Sequence, residues 1–336
     1  MSSNPSIWLA EAQKTRSCGE SLAQTIYGPV TIYLDGELGA GKTTFLDGFS
    51  TALGISEPLT SPTYALEQRY TADNHELLHL DLYRLSTEDA RKLVASTDDH
   101  EGIRCIEWAE RLESPLNDGI TIQIQDKDDD KGRHLSIAFN DMPLPSYEDI
   151  LNWRKEMMLP THICDHCDAV AMVARDLALD INTQGRIIRN EAVERGGQIH
   201  DLLRFLDFKT GASHSKNGDS NVQIELWESL KEKYKGMRHE KACAVFLEEH
   251  GYPEFAKIIE THGPGTTSNA TRETIEQKLL FYSDKRAIVD KIVTVEERFE
   301  DFRKRYTEGE VTPEGKIWQD EAEAVEKELF PDGVPF

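Results

Sequence analysis

Nowhere does this chain carry an apolar run approaching the roughly 20 residues that span a bilayer, so no membrane-spanning helix is expected. Its opening, MSSNPSIWLAEAQ, lacks the basic start and apolar core of a signal peptide, so the expected address is cytoplasmic. Cysteine is scarce: Cys18, Cys105, Cys164, Cys167 and Cys243 are odd in number and irregular in spacing, which excludes a disulfide framework and fits reduced thiols. Internal repeats and low-complexity blocks are missing, and 38% apolar with 29% charged residues fits a folded chain rather than a disordered one. Positive charge is in deficit, with 38 basic against 61 acidic residues and a net charge of −23. The deficit is shared, −12 over residues 1–142 and −11 over the remainder. Such a field gains little from neutralising phosphates, so bulk binding of RNA or DNA is disfavoured and any nucleic acid is reached through a partner.

What is present begins with length, since 336 residues suit two domains. VTIYLD (30–35) reads as a strand, and KTTFLDGFSTALG as a helix closed by Gly54. Further strands are expected at YALEQRY, ELLHLDLY and IRCIEW, and ITIQIQ with RHLSIAF as a hairpin with an acidic tip. After NDMPLPS the pattern changes to helical periods, expected over 146–157, 162–180, 184–207, 222–234, 239–250, 253–262 and 271–307. The expected organisation is an α/β domain over 1–142, a linker over 143–156, an all-α bundle over 157–307, and a peripheral helix and tail over 308–336.

GELGAGKT (Gly36, Glu37, Leu38, Gly39, Ala40, Gly41, Lys42, Thr43) fits G-x-x-x-x-G-K-[ST], a pattern met by chance in about one chain in a hundred of this length. Between a strand and a helix it predicts a phosphate cradle: glycines let backbone N–H groups turn inward, and the helix N-terminus adds its partial positive charge. Lys42 is then placed for the β- and γ-phosphates and Thr43 for Mg²⁺, with Thr44 beside them. Hydrolysis needs carboxylates as well, for the metal's water shell and the attacking water. Asp81 and Glu107 end apolar strands, where a parallel sheet places its ligand groups. Either is also readable as a solvated strand-end acid, and Trp108 as a core aromatic. A P-loop kinase of small molecules is the competing reading of the same loop.

The ordered segments LDGELGAGKTTF, SPTYAL, LLHLDLYRL and IEWAERL resemble the TsaE family, which supports threonylcarbamoyladenosine formation in tRNA. The resemblance spans about residues 5–140 and implies a P-loop NTPase fold with ATP and Mg²⁺ as cofactors. It implies Lys42 and Thr43 at phosphate and metal, Thr63 in a switch-like loop, Asp81 and Glu107 as catalytic and metal-associated acids, and Trp108 near the nucleotide. TsaB-like and TsaD-like proteins are the implied partners, with tRNA met only through them.

The second half raises a metal question. His200 and Asp201 are adjacent, and neighbours on a helix point about 100° apart, so a shared metal needs other helices to converge. His166, Val170, Val173 and Leu177 recur on one face, which turns His166 inward, and Asp284 shares an apolar stripe with Leu280 and Ile288. An inward carboxylate costs several kcal/mol unless it is paired, and a metal is one partner. Ala192, Gly196 and His200 share a face whose small residues admit a close neighbour. His239 opens one helix and His262 closes another; each alone reads as a solvated or capping histidine. Cys164 and Cys167 lack a matching second half-site, which argues against structural zinc.

As an ordered set, His166, His200–Asp201, His239, His262 and Asp284 resemble the HD-domain metal-dependent phosphohydrolases over about residues 157–300, with DHCDAVAMVARDLA and EQKLLFYSDKR similar beyond the ligands. The resemblance implies an all-α HD-domain bundle in which His166, His200, Asp201 and Asp284 bind a first metal. It gives Asp201 a catalytic role, and His239 and His262 match the extra histidines of two-metal members. Neutral imidazoles and carboxylates suit Mn²⁺, Fe²⁺ or Co²⁺, with Mg²⁺ and Zn²⁺ open. The chain departs from the family at GGQIHDLL, where a glycine commonly follows, so the fusion has two readings. One is an ATPase joined to a phosphohydrolase of a nucleotide or small phosphoester. The other is an ATPase whose HD half is an inactive interaction or regulatory module.

Overall fold

The computed structural model describes residues 6–72, 75–113, 118–126, 132–208, 220–264 and 271–336. Two compact units emerge: residues 1–142 with 181–188, and residues 143–180 with 189–336. The expected acidic hairpin tip falls at 127–131, outside the described residues.

The first unit is one seven-stranded sheet with helices on both faces. Its elements are β1 (Ser6–Leu9), α1 (Ala12–Ala23), β2 (Val30–Asp35), α2 (Lys42–Ala52), β3 (Glu67–Ala72), β4 (His75–Asp81), α3 (Thr87–Ala95), β5 (Ile103–Glu107), β6 (Gly119–Asp126) and β7 (Arg133–Asn140). The strand order is β1-β7-β6-β2-β5-β4-β3. β6, β2, β5 and β4 run parallel and the remaining pairs are antiparallel. Parallel strands covered on both faces read as continuous apolar runs, and Ile32, Leu34, Leu77, Leu78, Leu80 and Ile106 are all fully buried. One face packs Phe45, Leu46 and Phe49 of α2; the other packs Tyr33, Leu78 and Leu80 against Ala90 of α3. Residues 181–188, expected in the second domain, cluster with this unit. Ile187 joins its core, and the Ile187 N–H donates to Ser21 Oγ at 2.8 Å. A helical period cannot tell which core its C-terminal loop will enter.

The second unit is helical: α4 (Tyr147–Glu156), α5 (Thr161–Thr183), α6 (Asn190–Ile199), α7 (Asn221–Lys233), α8 (His239–Glu249), α9 (Pro253–Glu260), α10 (Ile275–Asp284), α11 (Val295–Tyr306) and α12 (Pro313–Leu329), with a short hairpin of β8 (Ala287–Ile288) and β9 (Lys291–Ile292). Reciprocal capping boxes start α4 at Ser146, α7 at Ser220, α10 at Thr274 and α11 at Thr294, each satisfying two N–H groups left over at a helix start.

Three expectations need correction. The helix expected over 184–207 stops at Ile199, with His200 as its C-cap and a short 3-10 turn at Arg204–Asp207. The helix expected over 271–307 is two helices joined by the hairpin, so Ile288 lies on a strand and Asp284 ends α10. The 143–156 stretch, expected as a linker, and the C-terminal helix, expected as peripheral, both contribute buried side chains. Trp153 of α4 is buried with its ring edge-on to Phe246, and α12 buries Ala322, Val325 and Leu329 while Glu326 accepts from Tyr282 Oη at 2.6 Å.

Candidate functional sites

At the C-terminal ends of the parallel strands, β2 runs into the loop Gly36–Gly41 and α2 begins at Lys42. Gly41 caps α2 at φ 104°, a left-handed conformation that favours glycine, and a Cβ on Gly36 would stand 2.4 Å from the Ile124 carbonyl. Glu37, Leu38 and Gly39 are exposed, Ala40 is buried, and Thr43 and Thr44 are half-buried. Lys42 turns back over its own loop, donating to the Gly36 carbonyl at 2.7 Å and the Glu37 carbonyl at 3.1 Å. Burial lowers its ammonium pKa, against the opposing pull of Glu107, Glu110, Asp81 and Asp35.

The register of β4 against β5 sets Asp81 beside Glu107. Thr43 Oγ1 donates to Glu107 Oε1 at 3.3 Å, and the same oxygen lies 3.0 Å from His79 Nε2. Asp81 is held by its own chain: Oδ2 accepts from Ser61 at 2.9 Å and Thr63 at 2.7 Å, and Oδ1 from the Tyr83 N–H at 2.9 Å. Trp108 is not simply a core aromatic. It is half-buried, adopts φ 63°, and carries the Lys42 ammonium 3.9 Å from its ring centroid. A bulky residue held in that backbone region signals a site that over-determines it. Nearby, the Glu110 N–H donates to Asp35 at 2.9 Å, and burial together with the Asp35 carboxyl pushes the Glu110 carboxyl up to about 7. All the residues expected here, Gly36 to Thr44 with Asp81, Glu107 and Trp108, therefore come together. His79 and Ser61 were missed. The alternation LHLDL, which puts His79 on the same strand face as Asp81, was the available signal for the first.

A family model described as Threonylcarbamoyl adenosine biosynthesis protein TsaE matches residues 9–135. The tRNA threonylcarbamoyladenosine biosynthesis protein TsaE of Nostoc sp. is 40% identical over 111 residues, 32% of this chain and 68% of that one. Its namesake in Aquifex aeolicus is 36% identical over 127 residues, 37% of this chain and 91% of that one. The chain belongs to the TsaE family. A crystal structure of Bacillus subtilus YdiB aligns at 25% identity with a TM-score of 0.34, covering 41% of this chain and 86% of that one. The TsaE-matched residues lie within the first unit, and the loop, Asp81, Glu107 and Trp108 all lie inside the match.

Outside the TsaE match, the second unit gathers a different set. His166 from α5, His200 and Asp201 after α6, His239 opening α8, His262 after α9 and Asp284 ending α10 are all buried. His166 Nε2 lies 3.0 Å from Asp284 Oδ1, and His200 Nε2 lies 3.8 Å from that oxygen and 3.8 Å from Asp201 Oδ2. The other oxygen of Asp201 faces elsewhere, 3.1 Å from His239 Nε2 and 3.8 Å from His262 Nε2. Ligand atoms thus fall into two clusters, His166–His200–Asp201 and Asp201–His239–His262, with Asp201 in both. A third grouping joins Asp207, His239 and Glu240.

The hydrogen bonds assign the tautomers. His200 Nδ1 donates to the Gly197 carbonyl at 2.8 Å and His262 Nδ1 to the Ile259 carbonyl at 2.6 Å, which turns each Nε2 into the cluster. His239 Nδ1 meets Asp207 Oδ2 at 2.6 Å. Burial pushes the His200 imidazole down to about 3, so it stays neutral. Burial alone would raise Asp201 and Asp284, yet neighbouring charge, including that of Arg204 at the first and Lys285 at the second, holds both well below the carboxylate range. A neutral imidazole lone pair therefore faces two ionised carboxylates, and His200 Nε2 is buried without a hydrogen-bond partner. Two acceptors turned on each other repel unless a cation stands between them, so this donor set fits a divalent metal.

Close packing accompanies the convergence, at the two glycines that precede His200. A Cβ on Gly197 would stand 2.5 Å from Ala171 Cα, so α6 meets the backbone of α5 there; Gly196 faces only the side chains of Leu280 and Ile259. The cations Arg204, Lys285 and Arg298 around this cluster were not picked out from sequence, because nothing in their spacing marks them as inward-facing.

Proposed function

We propose that the first unit is an ATP hydrolase acting in tRNA threonylcarbamoyladenosine formation with TsaB-like and TsaD-like partners, and that the second is an HD-type metal-dependent phosphohydrolase. The family membership supports the first half. The observation that carries its chemistry is the joining of Lys42, Thr43 and Glu107 at the head of α2, with Asp81 one strand away. On this reading Lys42 leaves the loop carbonyls for the β- and γ-phosphates, the N–H groups of Gly36–Thr44 bind the phosphate chain, and Trp108 steadies the ammonium meanwhile. Thr43 and Glu107 would hold Mg²⁺, which neutralises charge developing on the phosphoryl oxygens. Glu107, backed by His79, and Asp81 orient water. In the test, purified protein is assayed for phosphate release from ATP with TsaB- and TsaD-type proteins added. Turnover abolished by Lys42→Ala is expected; turnover indifferent to that change would overturn the assignment.

For the second unit, the supporting observation is the unpartnered Nε2 of His200 facing Asp201 and Asp284. His166, His200, Asp201 and Asp284 would hold one ion and Asp201, His239 and His262 another. A divalent ion there supplies Lewis-acid polarisation of a phosphoryl oxygen and a water of lowered pKa. The chain's own part is to fix imidazole orientation through the Gly197 and Ile259 carbonyls and through Asp207. Metal analysis of purified protein with a phosphoester panel tests it: bound transition metal and phosphatase activity are expected. Their joint absence would leave the unit as an interaction module.

A further inference from the structure

Three cations surround the carboxylate–histidine cluster of the second unit, and two of them make close polar contacts there. Lys285 Nζ rests against Asp284 Oδ2, and 3.5 Å from the His262 carbonyl. Arg204 Nη1 lies 3.2 Å from the His239 ring nitrogens and 3.8 Å from Asp207. Arg298 is paired only loosely. It is only 8% exposed, its Nη2 stops 3.8 Å short of Asp284 Oδ1 and its Nη1 3.9 Å short of Asp301 Oδ2, and its buried Nε has no hydrogen-bond partner. Among the described residues it makes no hydrogen bond through its side chain. A guanidinium taken out of water with only distant ion pairs and no hydrogen bond is costly, and an apolar chain of similar length would serve packing better. The oxygen it approaches is the one that contacts His166 and His200, so its fork opens toward the cluster. A phosphate, with several oxygens to match a planar fork, is the anion that satisfies it.

Arg298 begins a stripe on α11. Phe302 lies four residues on, with the guanidinium 4.3 Å from its ring centroid. Tyr306 lies four residues further, its ring 6.2 Å from Phe302 and 70% exposed. One and two helical turns place these rings about 6 and 12 Å along the axis from Arg298, bracketing a base joined to its phosphate through a sugar.

Resting on the metal-site reading above, we infer that Arg298 is the phosphoryl-binding residue of this site and that Phe302 and Tyr306 receive a planar ring. The substrate class is then a phosphate monoester that carries a planar base, as a nucleoside monophosphate does. The test titrates the full chain, loaded with Mn²⁺, calorimetrically with two unhydrolysable probes: methylphosphonate, and the phosphonate analogue of AMP with carbon in place of the ester oxygen. Arg298→Met is expected to weaken both by about 30-fold or more without lowering the melting temperature, and Arg298→Lys to restore part of the affinity. Phe302→Ala and Tyr306→Ala are expected to weaken the AMP analogue alone, by about tenfold each. Mn²⁺ binding with phosphonate affinities unchanged in Arg298→Met overturns the Arg298 assignment. An AMP analogue no tighter than methylphosphonate on the unaltered chain overturns the ring assignment. Failure to bind Mn²⁺ at all overturns the metal-site reading, and this inference with it.

Discussion

In the first unit the site is a run of consecutive residues, Gly36 to Thr44, completed by two acids that the sheet register sets side by side. In the second, His166 and Asp284 stand 118 positions apart and meet at 3.0 Å. One site is built mostly of backbone, with glycines at positive φ and few side chains. The other is built of buried side chains from five separate stretches of chain, and three of its imidazoles are oriented by a carbonyl or carboxylate behind them. A backbone site is robust to its surroundings but exposed, since Leu38 is 77% accessible. A side-chain site is shielded, and depends on the helices beneath it approaching closely.

The sharpest way to break this contrast is to disable one site and read the other. Lys42→Ala should lower ATP turnover by about 100- to 1,000-fold, the scale of losing a charged group aimed at a transferring phosphoryl, while metal content stays as in the unaltered chain. Parallel phosphate-release assays and metal analysis check this; loss of metal in a folded variant would mean that the sites are coupled. Within the second site, Asp201 serves both clusters and His262 only one. Asp201→Asn should therefore remove all bound metal, and His262→Ala only part of it, as metal-to-protein ratios will show.

Gly197→Ala tests whether close packing sustains the side-chain site. The added methyl would overlap the α5 backbone at Ala171, costing about 1–3 kcal/mol as overpacking does. Denaturant unfolding should show this in the second unit, with ATP turnover unchanged; equal stability would show that α6 shifts freely. The smallest effect is electrostatic. Glu110 titrates near 7 in the folded unit and near 4.3 when unfolded, so the fold favours its protonated form. That contribution is complete below the unfolded value and is lost as pH rises from about 4.5 toward 7. Glu110→Gln should flatten this part of the melting temperature's pH dependence, and an unchanged slope would place its origin elsewhere.

Legibility followed the same division. β2 was readable residue for residue because a buried parallel strand is an unbroken apolar run between turn signals. The loop was readable because its chemistry requires particular residues at fixed spacing. In the helical unit the inward face of α5 was legible from its period, but several helix ends were not. The break after Ile199 and the hairpin at Ala287–Ile292 interrupt stretches whose composition still reads as helix. The same blindness hid residues 181–188, which continue a helical pattern yet pack into the other core.

By itself, then, the amino-acid order determined the α/β and helical halves, the glycine loop with Lys42 and Thr43, and the identities of six candidate ligands. These depend on local spacing, which sets periodicity and turn chemistry. Only the tertiary structure decided that Asp201 faces two histidine clusters, that Gly197 brings two helices into backbone contact, that Trp108 underlies Lys42, and that Arg298 Nε is buried without a hydrogen-bond partner. Each is a relation between groups distant in the chain. Its energy arises from burial and opposed charge, which exist only once the helices and strands have packed.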